Sequence, residues 1–214
     1  RMQELALEEK VFVRSMATRG SLGGLSKKTR EAADVIDAAG FDVIIMETVG
    51  VGQSELDIAK AADTTIVVLV PESGDSIQAM KAGLMEIADI FVVNKADREG
   101  ADDAVLAIQN MLELKGNKSE WNIPTYKAVA KLNEGIEEII YALNNHREYL
   151  KVSGLLKKKR IENLNTMIRE MIADELKVHF WSKEKEQLLN SNIDRIYLRE
   201  MCVYELVKNL LRRM

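Results

Sequence analysis

Between Val11 and Ala130, short runs of β-branched and apolar residues alternate with longer stretches whose apolar positions recur at helical spacing. This alternation constrains the fold more than any other feature of the chain. The strand candidates are Val11–Met16, Asp42–Glu47, Thr64–Val70, Ile90–Val93 and Thr125–Ala130. Their apolar character is almost unbroken, as it must be when helices cover both faces of a parallel sheet. The intervening stretches Lys27–Ala39, Ser54–Ala61, Ser76–Ile87 and Ala101–Leu114 read as helices. Strict alternation of this kind predicts an α/β fold, a mostly parallel sheet with flanking helices. After Glu134 the strand pattern stops. Glu134–Leu150, Leu155–Phe180 and Lys183–Met214 read as three helices, with breaks at Gly154 and near Ser182. The expected plan is an α/β domain over residues 1–150 and a helical arm over 151–214.

Composition removes several classes of function. Thirty basic against thirty-four acidic side chains leave a net charge of −4, the wrong sign for a non-specific nucleic-acid binder. Lys157-Lys158-Lys159-Arg160 therefore reads as a solvated helix face. No apolar run reaches the roughly 20 residues of a membrane span. One cysteine, Cys202, and two scattered histidines, His146 and His179, give neither an internal disulfide nor a rich metal site. A reducing, cytoplasmic setting is expected. A two-helix arm has too little core of its own, so its apolar stripes, with Met167, Met171 and Met201, predict a homodimer.

Two motifs carry chemistry. Asn94-Lys95-Ala96-Asp97 follows the strand Ile90–Val93, and α/β sheets bind ligands beyond the carboxyl ends of their strands. A carboxylate only accepts hydrogen bonds. Asp97 can take the N1–H and 2-amino group of guanine, a donor pair that adenine lacks. Lys95 can lay its aliphatic stem over the base, and Asn94 can tie the loop to its neighbours. The second motif, Glu47-Thr48-Val49-Gly50-Val51-Gly52-Gln53-Ser54-Glu55, follows Asp42–Met46. An acid at a strand end can reach a metal ion or its bound water, and a glycine three residues later lets a backbone N–H approach a phosphate closely. A loop held by that phosphate relaxes on hydrolysis. The plainer reading is a strand-to-helix turn capped by Ser54, and the two are compatible.

Arg19-Gly20-Ser21-Leu22-Gly23-Gly24-Leu25, Ala38-Ala39-Gly40-Phe41-Asp42, Glu47 to Glu55 and Asn94 to Asp97 occur in this order and spacing. Over residues 1 to about 150 the chain resembles the MeaB/ArgK family of P-loop GTPases, which includes the methylmalonic aciduria type A protein. The resemblance implies a G-protein chaperone of adenosylcobalamin-dependent acyl-CoA mutases, chiefly methylmalonyl-CoA mutase. Such a chaperone gates cofactor loading and protects or reactivates the enzyme. It implies GTP/GDP and Mg2+ as cofactors, with adenosylcobalamin reached only through the partner mutase. By the same resemblance Glu47, Gly50 and Gln53 are catalytic, and Glu47 lies near the metal. Asn94, Lys95, Asp97, Val129, Ala130 and Lys131 hold the nucleotide. Pro71 to Glu86 resembles an additional switch, and the C-terminal helices resemble a dimerisation arm in character.

The sequence also departs from this family. It contains no Gly-x-x-x-x-Gly-Lys-Ser/Thr, the loop that cradles phosphates. Arg1-Met2-Gln3 resembles the helix that follows the first switch. The chain thus reads either as a fragment of an ordinary family member or as a complete protein that kept only the partner surface. Alone it is expected to hydrolyse GTP poorly or not at all. Val129 and Ala130 stand where the family usually has Ser-Ala, so the backbone donor of the base cap is kept and the hydroxyl is lost. The scattered histidines argue against a nickel-delivering GTPase, and the guanine-selecting Asp97 conflicts with an ATPase or kinase of amino-acid transport. The rival from another class is a non-catalytic module that binds a mutase and dimerises. Which mutase is the client is not written in the residues.

Overall fold

The computed structural model describes residues 5, 8–16, 24–48, 59, 61–72, 84–115 and 120–212. The elements are α1 (Gly24–Ala38), β1 (Ile66–Leu69), α2 (Met85–Ile87), β2 (Ile90–Asn94), α3 (Ala101–Lys115) and β3 (Thr125–Ala128). A 3-10 helix (Ala130–Leu132) follows, then α4 (Ile136–Val152), α5 (Leu155–Phe180), α6 (Lys183–Tyr197) and α7 (Val203–Leu211). The chain divides into two compact units, Arg1–Asn163 and Leu164–Met214.

In the first unit the three strands form one parallel sheet in the order β1-β2-β3. Ile66 aligns with Ile90 and Leu69 with Val93, while Phe91 aligns with Thr125 and Asn94 with Ala128. Side chains of a strand alternate between faces, and β2 uses both. Phe91 and Val93 enter a core with Val67, Leu84, Ala88, Ala101 and Ile108, covered by α3. Ile90 and Val92 enter a second core with Ala128 and Ala142, covered by α4. That double burial explains the unbroken apolar run of β2. Truncating the fully buried Phe91 to alanine is expected to cost about 3–5 kcal/mol.

Two expected strands are not formed. Residues 11–16 and 42–47 carry no strand ladder, and Phe12, Val43 and Ile45 are exposed, the last at 86%. A strand exists only by pairing, and the sheet among the described residues stops at β1. Both runs have strand composition without a ladder partner among the described residues. Ser54–Ala61 lies almost wholly outside the described residues. Of Ser76–Ile87 only the end is described, where α2 forms. α3, α4 and α5 stand where the apolar spacing places them.

In the second unit, the expected single helix Lys183–Met214 is broken. α6 ends at Tyr197 with Arg199 in the left-handed region at φ 62°. The Arg199 N–H donates to the Ile196 carbonyl (3.0 Å) and the Glu200 N–H to the Arg195 carbonyl (2.8 Å). This is a Schellman termination built on arginine rather than glycine. The earlier break falls as read: the Ser182 hydroxyl caps α6 by accepting from the Lys185 N–H (3.3 Å). Lys185 is buried, with its ammonium 3.8 Å from the centre of the Phe180 ring. Among the described residues no helix is long and apolar enough to cross a membrane.

Candidate functional site

A parallel sheet places the ends of all its strands on one side. Beyond the carboxyl end of β2, Lys95 adopts φ 58°, and the chain turns back on itself as the Arg98 N–H donates to the Lys95 carbonyl (3.0 Å). The Asn94 carboxamide oxygen accepts from the Lys95 N–H (2.8 Å) and from the Ala130 N–H (3.1 Å). The Ala96 N–H donates to the Ala128 carbonyl (3.0 Å). One side-chain oxygen and one backbone bond thus join the loop after β2 to the loop after β3. Arg98 also donates to the carboxylate of Glu72, just after β1. That hydrogen bond holds the Glu72 carboxyl below its ordinary pKa and raises that of the guanidinium.

The loop after β3 has its own local cause. Val129 and Glu134 form an antiparallel bridge around the 3-10 turn, and Asn133 closes it in the left-handed region at φ 61°. Gly135, at φ 76°, begins α4. A Cβ there would lie 2.2 Å from the Lys127 carbonyl oxygen and 3.1 Å from the Ala128 Cα. Only glycine lets α4 start this close to β3.

Six of the expected residues, Asn94, Lys95, Asp97, Val129, Ala130 and Lys131, therefore share the two joined loops. Lys95, Asp97 and Lys131 are exposed, and no hydrogen bond or ion pair among the described residues takes up the Asp97 carboxylate. The Ala130 N–H, the donor expected to face a base, is given to Asn94 in this structure. Glu47 is exposed, and nothing among the described residues joins it to either loop. Gly50 and Gln53 lie outside the described residues, as do Arg19 to Gly23 and residues 73–83. No group of three or more His, Cys, Asp or Glu side chains among the described residues could hold a metal ion. A magnesium ion that keeps its waters and nucleotide oxygens needs only one or two carboxylates, and the exposed Glu47 is compatible with that lesser demand.

Sequence reasoning missed a second cluster, at the opposite end of the sheet. Thr64, Asp89, Trp121, His146 and Lys159 meet there beside an open cavity of about 360 Å³ lined also by Tyr149 and Leu150. These residues are far apart in sequence. The one available signal was a histidine, His146, in the apolar repeat of α4.

Known proteins agree with this architecture. The family profile described as Methylmalonyl Co-A mutase-associated GTPase MeaB matches residues 1–185. A Pyrococcus abyssi protein is 45% identical over 97% of this chain and 67% of its own length. GTPase ArgK of Escherichia coli is 35% identical over 92% of this chain and 59% of itself. The mitochondrial methylmalonic aciduria type A homolog of Mus musculus is 31% identical over 90% and 48%. The chain thus spans between about half and two thirds of these relatives. A crystal structure of an LAO/AO transport system kinase superposes with a TM-score of 0.68 at 27% identity, covering 88% of this chain and 62% of that one. The fold is of the P-loop NTPase type, with a helical arm at its carboxyl end, and the chain belongs to the MeaB family of methylmalonyl-CoA mutase-associated GTPases.

Proposed function

We propose that this chain carries the guanine-recognising part of a GTP-binding and GTP-hydrolysing chaperone. The client is an adenosylcobalamin-dependent acyl-CoA mutase, methylmalonyl-CoA mutase first among them. The chaperone gates adenosylcobalamin loading and protects or reactivates the enzyme. The observation that carries this reading is the Asn94 bridge to Ala130, which sets the Asp97 loop and the 129–131 loop side by side.

A guanine placed between them gives its N1–H and 2-amino group to Asp97, while Lys95 covers one face of the ring with its stem. The cap over the base comes from Val129 to Lys131, and O6 shares the Ala130 N–H with Asn94. Adenine leaves the Asp97 carboxylate unpaired, a discrimination of order 10⁴ in a site built on such hydrogen bonds. Magnesium, when bound, neutralises charge on the phosphates. Glu47 is the residue of this chain that would hold it or its water. Gly50 and Gln53 are assigned to the terminal phosphate and the attacking water by resemblance. The phosphate-cradling motif is not among the 214 residues, so this chain by itself is expected to turn over GTP poorly or not at all. Guanine-nucleotide-dependent capture of the mutase, lost in Asp97→Ala, is the expected result. Equal capture with GDP, GTP and no nucleotide would contradict it.

That missing motif favours one second reading, a module that docks on the mutase without using nucleotide. Nucleotide-independent capture would be its signature. The proposed homodimer rests on α5, where Leu164, Ile168, Met171, Ile172 and Leu176 are each about half exposed and recur along one helix face. Sedimentation at tens of micromolar is expected to show a dimer that Ile168→Glu dissociates. A monomeric native chain would refute this part.

A further inference from the structure

The residues that precede the strands converge on Asp89. Its carboxylate accepts the Thr65 N–H at 2.8 Å, and its backbone carbonyl accepts the Trp121 indole N–H at 2.9 Å. Its other carboxylate oxygen lies 3.5 Å from Nε2 of His146, a side chain 2% exposed on α4. The Lys159 ammonium, on the second turn of α5, is 4.0 Å from the same carboxylate and donates to the Asp63 carbonyl at 2.9 Å. Arg160 adds a two-pronged pair to the Asp63 carboxylate at 3.0 and 2.6 Å. Asp63, Thr65 and Asp89 stand at the amino ends of β1 and β2. The root of α5 is thus fastened to the sheet through two aspartates.

We propose that Asp89 is a shared anion for which Lys159 and a protonated His146 compete, so that proton uptake by His146 loosens the root of α5 from the sheet. In the neutral ring the only hydrogen faces Asp89, because a carboxylate can only accept, and Nδ1 takes the Thr64 hydroxyl hydrogen across 2.9 Å. A second proton must sit on Nδ1. It forces the Thr64 hydroxyl to turn and act as acceptor, and it places a full positive charge against Asp89. One negative charge then faces two positive ones, and Lys159, about one third exposed, is the one that can leave for water.

Among the described residues no other charge near His146 relieves this contest. Glu86 from α2 and Lys158 and Glu162 from α5 line the rim of the same cavity, where solvent screens them. Tyr149 and Trp121 present rings, at 6.2 and 4.7 Å between centroids. The Asp63–Arg160 pair does not touch Asp89, so it persists as the second fastening. Burial holds the His146 pKa below its ordinary value, Asp89 opposes this, and Lys159 adds to it. His146 therefore favours the folded, neutral form above about pH 6.5. That contribution fades as pH falls from there through the lowered pKa, because the unfolded chain takes the proton first.

Linkage is reciprocal. If protonating His146 weakens Lys159 at Asp89, removing Lys159 must strengthen proton binding at His146. Trp121 reports it, since an imidazolium quenches indole emission more strongly than a neutral imidazole. The test uses the full chain with Trp181→Phe, which leaves Trp121 as its single tryptophan. Emission is expected to fall on acidification with a midpoint below about 6.5. Lys159→Met moves that midpoint upward and His146→Gln abolishes the transition. In the same window, amide exchange of residues 155–160, corrected for intrinsic pH dependence, accelerates several-fold in the native chain and not in His146→Gln. An unmoved midpoint in Lys159→Met overturns the proposal. So does exchange at 155–160 that stays flat between about pH 5 and 7.5. Lys159 is at the surface, so its variant is expected to fold.

Discussion

Two aspartates mark opposite ends of the same sheet, and they live in opposite circumstances. Asp89, just before β2, accepts a backbone N–H, faces His146 and Lys159, and is about one quarter exposed. Asp97, just after β2, is exposed, and no hydrogen bond or ion pair among the described residues engages its carboxylate. The strand between them is fully packed at Ile90, Phe91 and Val93. A polar group that holds a fold together is satisfied from within. One that recognises a ligand must be left unsatisfied on a rigid support until the ligand arrives. β2 is a rigid support for both ends, and the proposed guanine site uses the one beyond its carboxyl terminus.

Substitutions can break this contrast in graded steps, read as urea midpoints at constant slope. Gly135→Ala has the largest expected effect. Its Cβ meets the Lys127 carbonyl at 2.2 Å, so backbone must move, at a cost of about 3 kcal/mol or more. A loss under about 0.5 kcal/mol would show that the 129–131 loop is not set by this contact. Asp89→Ala comes next, at about 1–2 kcal/mol, because it removes the acceptor of the half-buried Thr65 N–H. Asn94→Ala is expected to cost about 1 kcal/mol and to raise amide exchange at Ala130, its partner across the loops. Asp97→Ala should change stability by less than about 0.5 kcal/mol while removing guanine selectivity altogether. If Asp97→Ala destabilised as much as Asp89→Ala, the division between the two ends would fail.

The sequence exposes some of this and conceals the rest for identifiable reasons. β2 and its Asn94-Lys95-Ala96-Asp97 loop are legible because double-sided burial writes a continuous apolar run, and a four-residue motif sits at its end. The partner loop is legible at Val129 to Lys131 only through resemblance, since Val and Ala carry no chemistry of their own. Residues 11–16 and 42–47 have strand composition, yet strand formation is a property of pairs, and composition cannot report that no ladder partner stands among the described residues. The end of α6 is hidden because Arg199 does the work that glycine usually announces. The Asp89 cluster is hidden because five separate segments build it. A histidine at a helical apolar position is a weak signal until its partners are known.

The most direct test of the proposed guanine site is a titration of the isotope-labelled chain with GDP and with ADP, followed through backbone amides. Without a phosphate loop the binding is expected to be weak, in the range where amide shifts follow it. GDP is expected to move the amides of Lys95, Asp97, Ala130 and Lys131, and ADP at the same concentration to leave them in place. Asp97→Ala is expected to erase the response. Amides that ignore GDP, or that move equally with ADP, would contradict the assignment of this end of the sheet to guanine.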